Sequence, residues 1–180
     1  GVISPGVREA VYATQNKRIG VIGTKGTIKS RTYETEIRHL DPKIKVTAAA
    51  CPLFVPFAEE GFLSGNVVLE VARKYLKPLK DAHVDTVILG CTHYPLLKAV
   101  IREALGNNIT LIDSAKQVAI EVKNILDAEG LLNNKGQRGK PACSAGRHKF
   151  YVSDNPEWFS GLAERFLGQP VRNVKRVNNV

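Results

Sequence analysis

Four short runs of β-branched and aliphatic residues alternate with longer amphipathic stretches, and this alternation constrains the fold more than any other feature. The runs are Arg18-Ile19-Gly20-Val21-Ile22, Ile44-Lys45-Val46-Thr47, Thr86-Val87-Ile88-Leu89 and Ile109-Thr110-Leu111-Ile112. Each has the length and composition of a strand. Segments at about 26–39, 64–80, 95–105 and 114–128 have helical spacing of apolar residues, with Ser114 placed to cap the last. Strands that alternate with helices of this length build βαβ units on a parallel sheet. The expected fold class is α/β with a parallel sheet. In such sheets ligands bind outside the carboxyl ends of the strands, so the residues after each strand are the first candidates for function.

The alternation breaks at Asn133 to His148, a stretch rich in Gly, Asn, Lys and Arg that reads as a long surface loop. A strand, Lys149-Phe150-Tyr151-Val152, follows it. Next comes a helix with Ser153 or Asp154 as its cap and Pro156 in its first turn. Trp158, Phe159, Leu162, Phe166 and Leu167 recur at spacings of three and four, which predicts a core-facing helix.

Composition narrows the class. With 43% hydrophobic residues among 180, the chain can bury a core. No apolar run approaches the roughly 20 residues that span a bilayer, and the first residues lack the layout of a signal peptide. A cytoplasmic protein without membrane contact is expected. The chain contains no methionine and opens on an apolar stub before Pro5-Gly6, which reads as a trimmed product. The net charge of +9 raises the question of nucleic acid, but most basic residues are scattered. Only the Lys135 to Lys149 loop and the Arg172 to Arg176 tail are concentrated. A solvated basic surface is favoured over a polyanion site, and it would also suit an anionic small molecule. The three cysteines, at 51, 91 and 143, have neither metal-site spacing nor a disulfide pattern.

Three segments follow strands and carry chemistry. Gly23-Thr24-Lys25-Gly26-Thr27 is either an ordinary strand-to-helix turn or a cradle for a carboxylate or phosphate. Cys51 sits among small apolar residues and reads as a packed thiol. It opens an apolar loop that ends at Glu59 and Glu60, each expected to face solvent. Leu89-Gly90-Cys91-Thr92-His93-Tyr94-Pro95 places a thiol just past a strand, before a proline-started helix. A helix N-terminus and nearby amides favour thiolate, and His93 could orient the thiol or exchange protons with it. The alternative is a buried cysteine beside a capping threonine and histidine. Cys143, in the basic loop, reads as an exposed thiol.

On these motifs the chain resembles the glutamate racemases of bacterial cell-wall synthesis. The resemblance runs from Val2-Ile3-Ser4-Pro5-Gly6 through Ile19 to Thr27, Cys51-Pro52-Leu53-Phe54-Val55-Pro56 with Glu59, and Ile88 to Pro95. His93 separates it from the related aspartate racemases, which usually carry glutamate there. The resemblance implies cofactor-independent, metal-free interconversion of L- and D-glutamate by two cysteines on opposite faces of the substrate Cα. It makes Cys91 the cysteine that works on L-glutamate and His93 its support. It gives Thr92 to substrate binding and Glu59 to the site lining, and it adds Thr24 and Thr27 as substrate contacts. The family motif with the other cysteine has no match here, and neither Cys51 nor Cys143 fits it. The chain is thus expected to be inactive alone. On the family plan of two α/β domains, residues 5–112 would form one domain. Residues 113–180 would return to the other. A homo-oligomer is compatible with this plan. A truncated, non-catalytic binding module with a basic surface is the competing reading.

Overall fold

The computed structural model describes residues 1–132 and 149–177, so the expected loop Asn133 to His148, with Cys143, lies outside the described residues. The chain divides into two compact units, Gly1–Ile125 and Leu126–Val180.

The first unit is built on four parallel strands, β1 (Arg18–Gly23), β2 (Lys45–Ala50), β3 (Thr86–Leu89) and β4 (Thr110–Asp113), in the order β2-β1-β3-β4. The α/β parallel-sheet class is therefore as expected. Side chains alternate across the sheet, as a strand period of two requires. Ile22, Val87 and Leu89 enter one core, with α5 (Asn66–Asp81) and α6 (Lys98–Leu105), while Ile19, Val21 and Ile88 enter the other, with α1 (Ser4–Ala13) and α3 (Thr32–Leu40). In α5, Val68, Ala72, Leu76 and Leu79 recur every three or four residues and are buried. Gly20 lets this helix sit close, because a Cβ there would lie 2.6 Å from a Leu79 methyl.

Local chemistry moved several boundaries. The expected helix 26–39 is two, α2 (Lys25–Ser30) and α3, because Arg31 takes a left-handed φ of 55° between them. Its guanidinium bonds Glu34 at 2.9 and 3.0 Å. The expected apolar loop after β2 is largely a helix, α4 (Phe54–Glu60), in which Pro56 falls in the first turn, where a missing N–H costs nothing. The helix expected from 95 starts as a 3-10 turn, Tyr94–Leu97, and α6 begins only at Lys98. α7 spans Ser114–Ala128, but Ser114 does not cap it. The Asp113 carboxylate accepts from the Lys116 amide at 3.2 Å, and the Ser114 hydroxyl donates to the Leu89 carbonyl at 3.4 Å. α1 had no sequence signal beyond Pro5 in its first turn.

The second unit holds a parallel pair, β5 (Tyr151–Val152) with β6 (Lys175–Arg176), and α8 (Pro156–Leu167). Asn155, rather than Ser153 or Asp154, caps α8, accepting from the amides of Glu157 and Trp158 at 2.9 and 3.1 Å. The core-facing expectation for α8 is not met. Phe159 contacts Phe150, but Trp158 and Leu167 stay about half exposed and only Ala163 is buried. Two-residue strands offer too narrow a face to cover a twelve-residue helix. Among the described residues no helix is long and apolar enough to cross a membrane.

Candidate active site

The carboxyl ends of β1, β2 and β3 bring the three candidate segments to one edge of the sheet. Their loops are stitched by backbone bonds, Gly90 N–H to the Ile22 carbonyl at 2.8 Å and Cys51 N–H to the Gly23 carbonyl at 2.9 Å. Gly90 is required by that closeness: a Cβ there would lie 2.8 Å from the Ile22 oxygen and 3.1 Å from the Tyr33 ring.

Cys91 is half-buried, with its Sγ 3.9 Å from His93 Nδ1. On the far side of the ring, Glu59 Oε1 lies 3.2 Å from Nε2. This contact is electrostatic rather than a straight hydrogen bond. A carboxylate there favours the tautomer with its proton on Nε2, which leaves the Nδ1 lone pair toward the thiol. Glu59 therefore does not face solvent as expected. Helix α4 turns it inward, whereas Glu60 stays exposed. Thr92 is exposed, and its Oγ1 lies 3.3 Å from the same Nδ1, so it shares that nitrogen with the thiol.

Burial pushes the Cys91 thiol above its ordinary pKa. The amides of His93 and Tyr94 and the Thr92 hydroxyl pull it down, and the Glu59 charge pushes it up again. The net rise reverses the expectation that a helix N-terminus would favour thiolate. Burial outweighs the amides, and the regular helix begins only seven residues beyond Cys91, whereas a helix dipole acts over the first turn. Cys51 behaves as the packed thiol expected, fully buried and pushed up to about 12 by burial alone.

Thr24 caps α2, and Thr27 stands in the first turn of that helix. Thr24 Oγ1 accepts from the Thr27 amide at 3.3 Å and lies 3.0 Å from Thr27 Oγ1. The Gly23 to Thr27 segment forms the turn from β1 into α2. Thr27 borders a small hollow with Tyr33, apart from the larger cleft at Cys91. That cleft, of about 390 Å³, is lined by Cys91, Thr92, Tyr33, Ser114, Val118 and Ala119, among others. Tyr33 and Val118 had no sequence signal as site residues, because nothing in a helical pattern tells which face meets a neighbouring loop. Ser114 was visible only as a cap candidate. Among the described residues no group of His, Cys, Asp and Glu is arranged to hold a metal ion.

Residues 1–121 match the family described as Asp/Glu/Hydantoin racemase. The chain belongs to this family. Among curated relatives it is 46% identical over 178 residues to the glutamate racemase of Geobacter metallireducens, covering 99% of this chain and 63% of that one. It is 48% identical over 175 residues to that of Beutenbergia cavernae, covering 96% and 60%. Among solved members of the family, a glutamate racemase isoform from Bacillus anthracis superposes with a TM-score of 0.87 at 38% identity, covering 99% of this chain and 64% of that one. The Francisella tularensis glutamate racemase, solved with D-glutamate, gives 0.85 at 34% identity, covering 98% and 62%. The chain thus spans somewhat under two thirds of the length of these relatives.

Proposed function

We propose that these residues supply one side of the active site of a glutamate racemase, a cytoplasmic enzyme that interconverts L- and D-glutamate for peptidoglycan synthesis. The observation that carries the reading is the line Glu59, His93, Cys91 at the carboxyl edge of the sheet, of which Cys91 lines a cleft large enough for an amino acid. In the forward direction His93 Nδ1 takes the Cys91 proton. The thiolate then removes the α-proton of L-glutamate, and the electron pair is held at Cα and its carboxylate. A second thiol on the opposite face delivers a proton to the same carbon. Each thiol alternates between acid and base, so no further cofactor chemistry is needed. Thr92, exposed beside the cleft, is assigned to the substrate, with Thr24 and Thr27 as secondary contacts.

Cys51 is unsuited to be the second acid/base, being fully buried and bonded back onto its own strand through the Ala49 carbonyl. We place the partner thiol in the part of a relative-length protein outside these 180 residues. In that plan residues 5–112 form one domain and residues 113–180 return to the other. The half-exposed apolar side chains of α8 support such a role for the second unit.

Circular dichroism of L-glutamate solutions tests this. The 180-residue chain alone should leave the signal unchanged, and a chain extended to the relatives' length should racemise it. Cys91→Ser in the extended chain should lower kcat at least about 100-fold, the scale of a lost general acid/base. Sustained turnover by the 180-residue chain would refute the two-thiol account. Preference for aspartate over glutamate would refute the substrate assignment.

A further inference from the structure

We propose that Tyr94 is a positioning residue for Cys91: its hydroxyl fastens helix α4 to the Cys91 turn and so holds Glu59 against His93. The inference rests on the reading of Cys91 as the acid/base.

The problem Tyr94 solves is one of distance. β1 lies between β2 and β3, so the loops after β2 and β3 are next-but-one neighbours, roughly 10 Å apart at ordinary strand spacing. Backbone bonds tie each of them to β1 but not to each other. Glu59 belongs to the first loop's helix and His93 to the second loop, so their 3.2 Å contact needs a cross-brace. Tyr94 provides one. It is fully buried, and its hydroxyl donates to the Cys51 carbonyl at 2.9 Å. That same carbonyl accepts the Phe54 amide at 3.1 Å, the bond that closes the turn leading into α4. The Tyr94 ring also meets the Phe54 ring edge-on, with centroids 5.3 Å apart. At its other end, the Tyr94 amide bonds the Cys91 carbonyl at 3.3 Å. One residue therefore grips the first turn of α4 with its side chain and the Cys91 turn with its backbone. Glu59 sits near the other end of the same short helix, so a small tilt at Phe54 is carried to its carboxylate.

The titratable groups around the Cys91 thiol are Glu59 on α4, Cys51 after β2, Tyr33 on α3, and His93 and Tyr94 of its own turn. Of these, Glu59 supplies the charge that opposes thiolate formation. Releasing Glu59 should make Cys91 more reactive. Tyr94→Phe keeps the ring and the amide and leaves the Cys51 carbonyl its bond to Phe54, so the fold should survive.

The experiment is the pH dependence of iodoacetamide alkylation at Cys91 in the 180-residue chain, read peptide by peptide by mass spectrometry. Wild type, Tyr94→Phe, Glu59→Gln and the double variant are compared. Glu59→Gln should raise the rate near neutral pH by about twofold or more, since thiolate is the reactive form. Tyr94→Phe should raise it in the same direction, and in the Glu59→Gln background it should add nothing. A Tyr94→Phe profile that superimposes on wild type, or one that adds in full to Glu59→Gln, overturns the proposal. Should Tyr94→Phe not fold, Phe54→Leu loosens the same brace from the α4 side and must move the profile likewise. Alkylation needs no turnover, so this test can fail while the racemase reading stands, and the reverse.

Discussion

Replacing Gly90 by alanine tests whether the site depends on the close approach of β3's end to β1. The added methyl would lie 2.8 Å from the Ile22 carbonyl oxygen, and that oxygen already accepts the Gly90 amide at 2.8 Å. Backbone cannot swing aside as a side-chain tip can, and the second neighbour, the Tyr33 ring at 3.1 Å, belongs to a largely buried residue. The strand ends must therefore part, and overpacking of this kind costs about 1–3 kcal/mol. With a urea dependence of about 2 kcal/mol per molar, the midpoint should fall by about 1 M. Far-UV circular dichroism is the suitable probe for the first unit, because the single tryptophan, Trp158, lies in the second. Hydrogen exchange at the Gly90 amide should accelerate in parallel. Gly26→Ala is the control: its Cβ would meet nothing nearer than 3.9 Å, within helix α2, and it should be neutral or stabilising by up to about 1 kcal/mol. If both variants unfold at the wild-type midpoint, the close approach carries no energy and the reasoning fails.

Two further outcomes follow from the packing and the charges. Leu76→Ala removes a buried side chain from the seam between α5 and the sheet and should cost about 2–5 kcal/mol by urea unfolding; a loss under 1 kcal/mol would mean that the seam collapses around the gap. Asp85, before β3, is pushed up by burial. It is held below its ordinary pKa on balance by the Thr14 hydroxyl at 2.6 Å, the amides of Asn16 and Gln15, and Thr86. A carboxylate lowered on folding stabilises above its unfolded pKa, and this stability is lost as pH falls through the folded value. Asp85→Asn should therefore narrow the stability difference between pH 7 and pH 3, and an unchanged difference would show that Asp85 is not coupled to folding.

How much of this was legible beforehand can be judged from single residues. The strands at Arg18, Thr86 and Thr110 were readable because short β-branched and aliphatic runs that alternate with helical stretches build a parallel sheet. Cys91 was readable as a candidate because a thiol just past a parallel strand stands where ligands bind in such sheets. The length of α7 came from its periodicity. Its cap did not, because Asp113 and Ser114 are both good caps and only the position of the Leu89 carbonyl sends the serine elsewhere.

Other properties were settled by contacts between residues far apart in the chain. Whether Glu59 or Glu60 turns inward depends on the rotation of α4, and the turn before that helix is reached by the Tyr94 hydroxyl from forty-three residues away. The direction of the Cys91 pKa depends on how deeply the thiol is buried and on a carboxylate from another loop, so local helix-dipole reasoning gave the opposite sign. The exposed aromatic side of α8 has the periodicity of a core helix, and periodicity cannot say whether a covering face is present. Sequence alone thus determined the strand pattern, the sheet edge that carries the candidate residues, and Cys91 as the first of those candidates. The tertiary structure decided that residue's proton affinity and its partners, because both arise from burial and from charges that the chain brings close only when it folds.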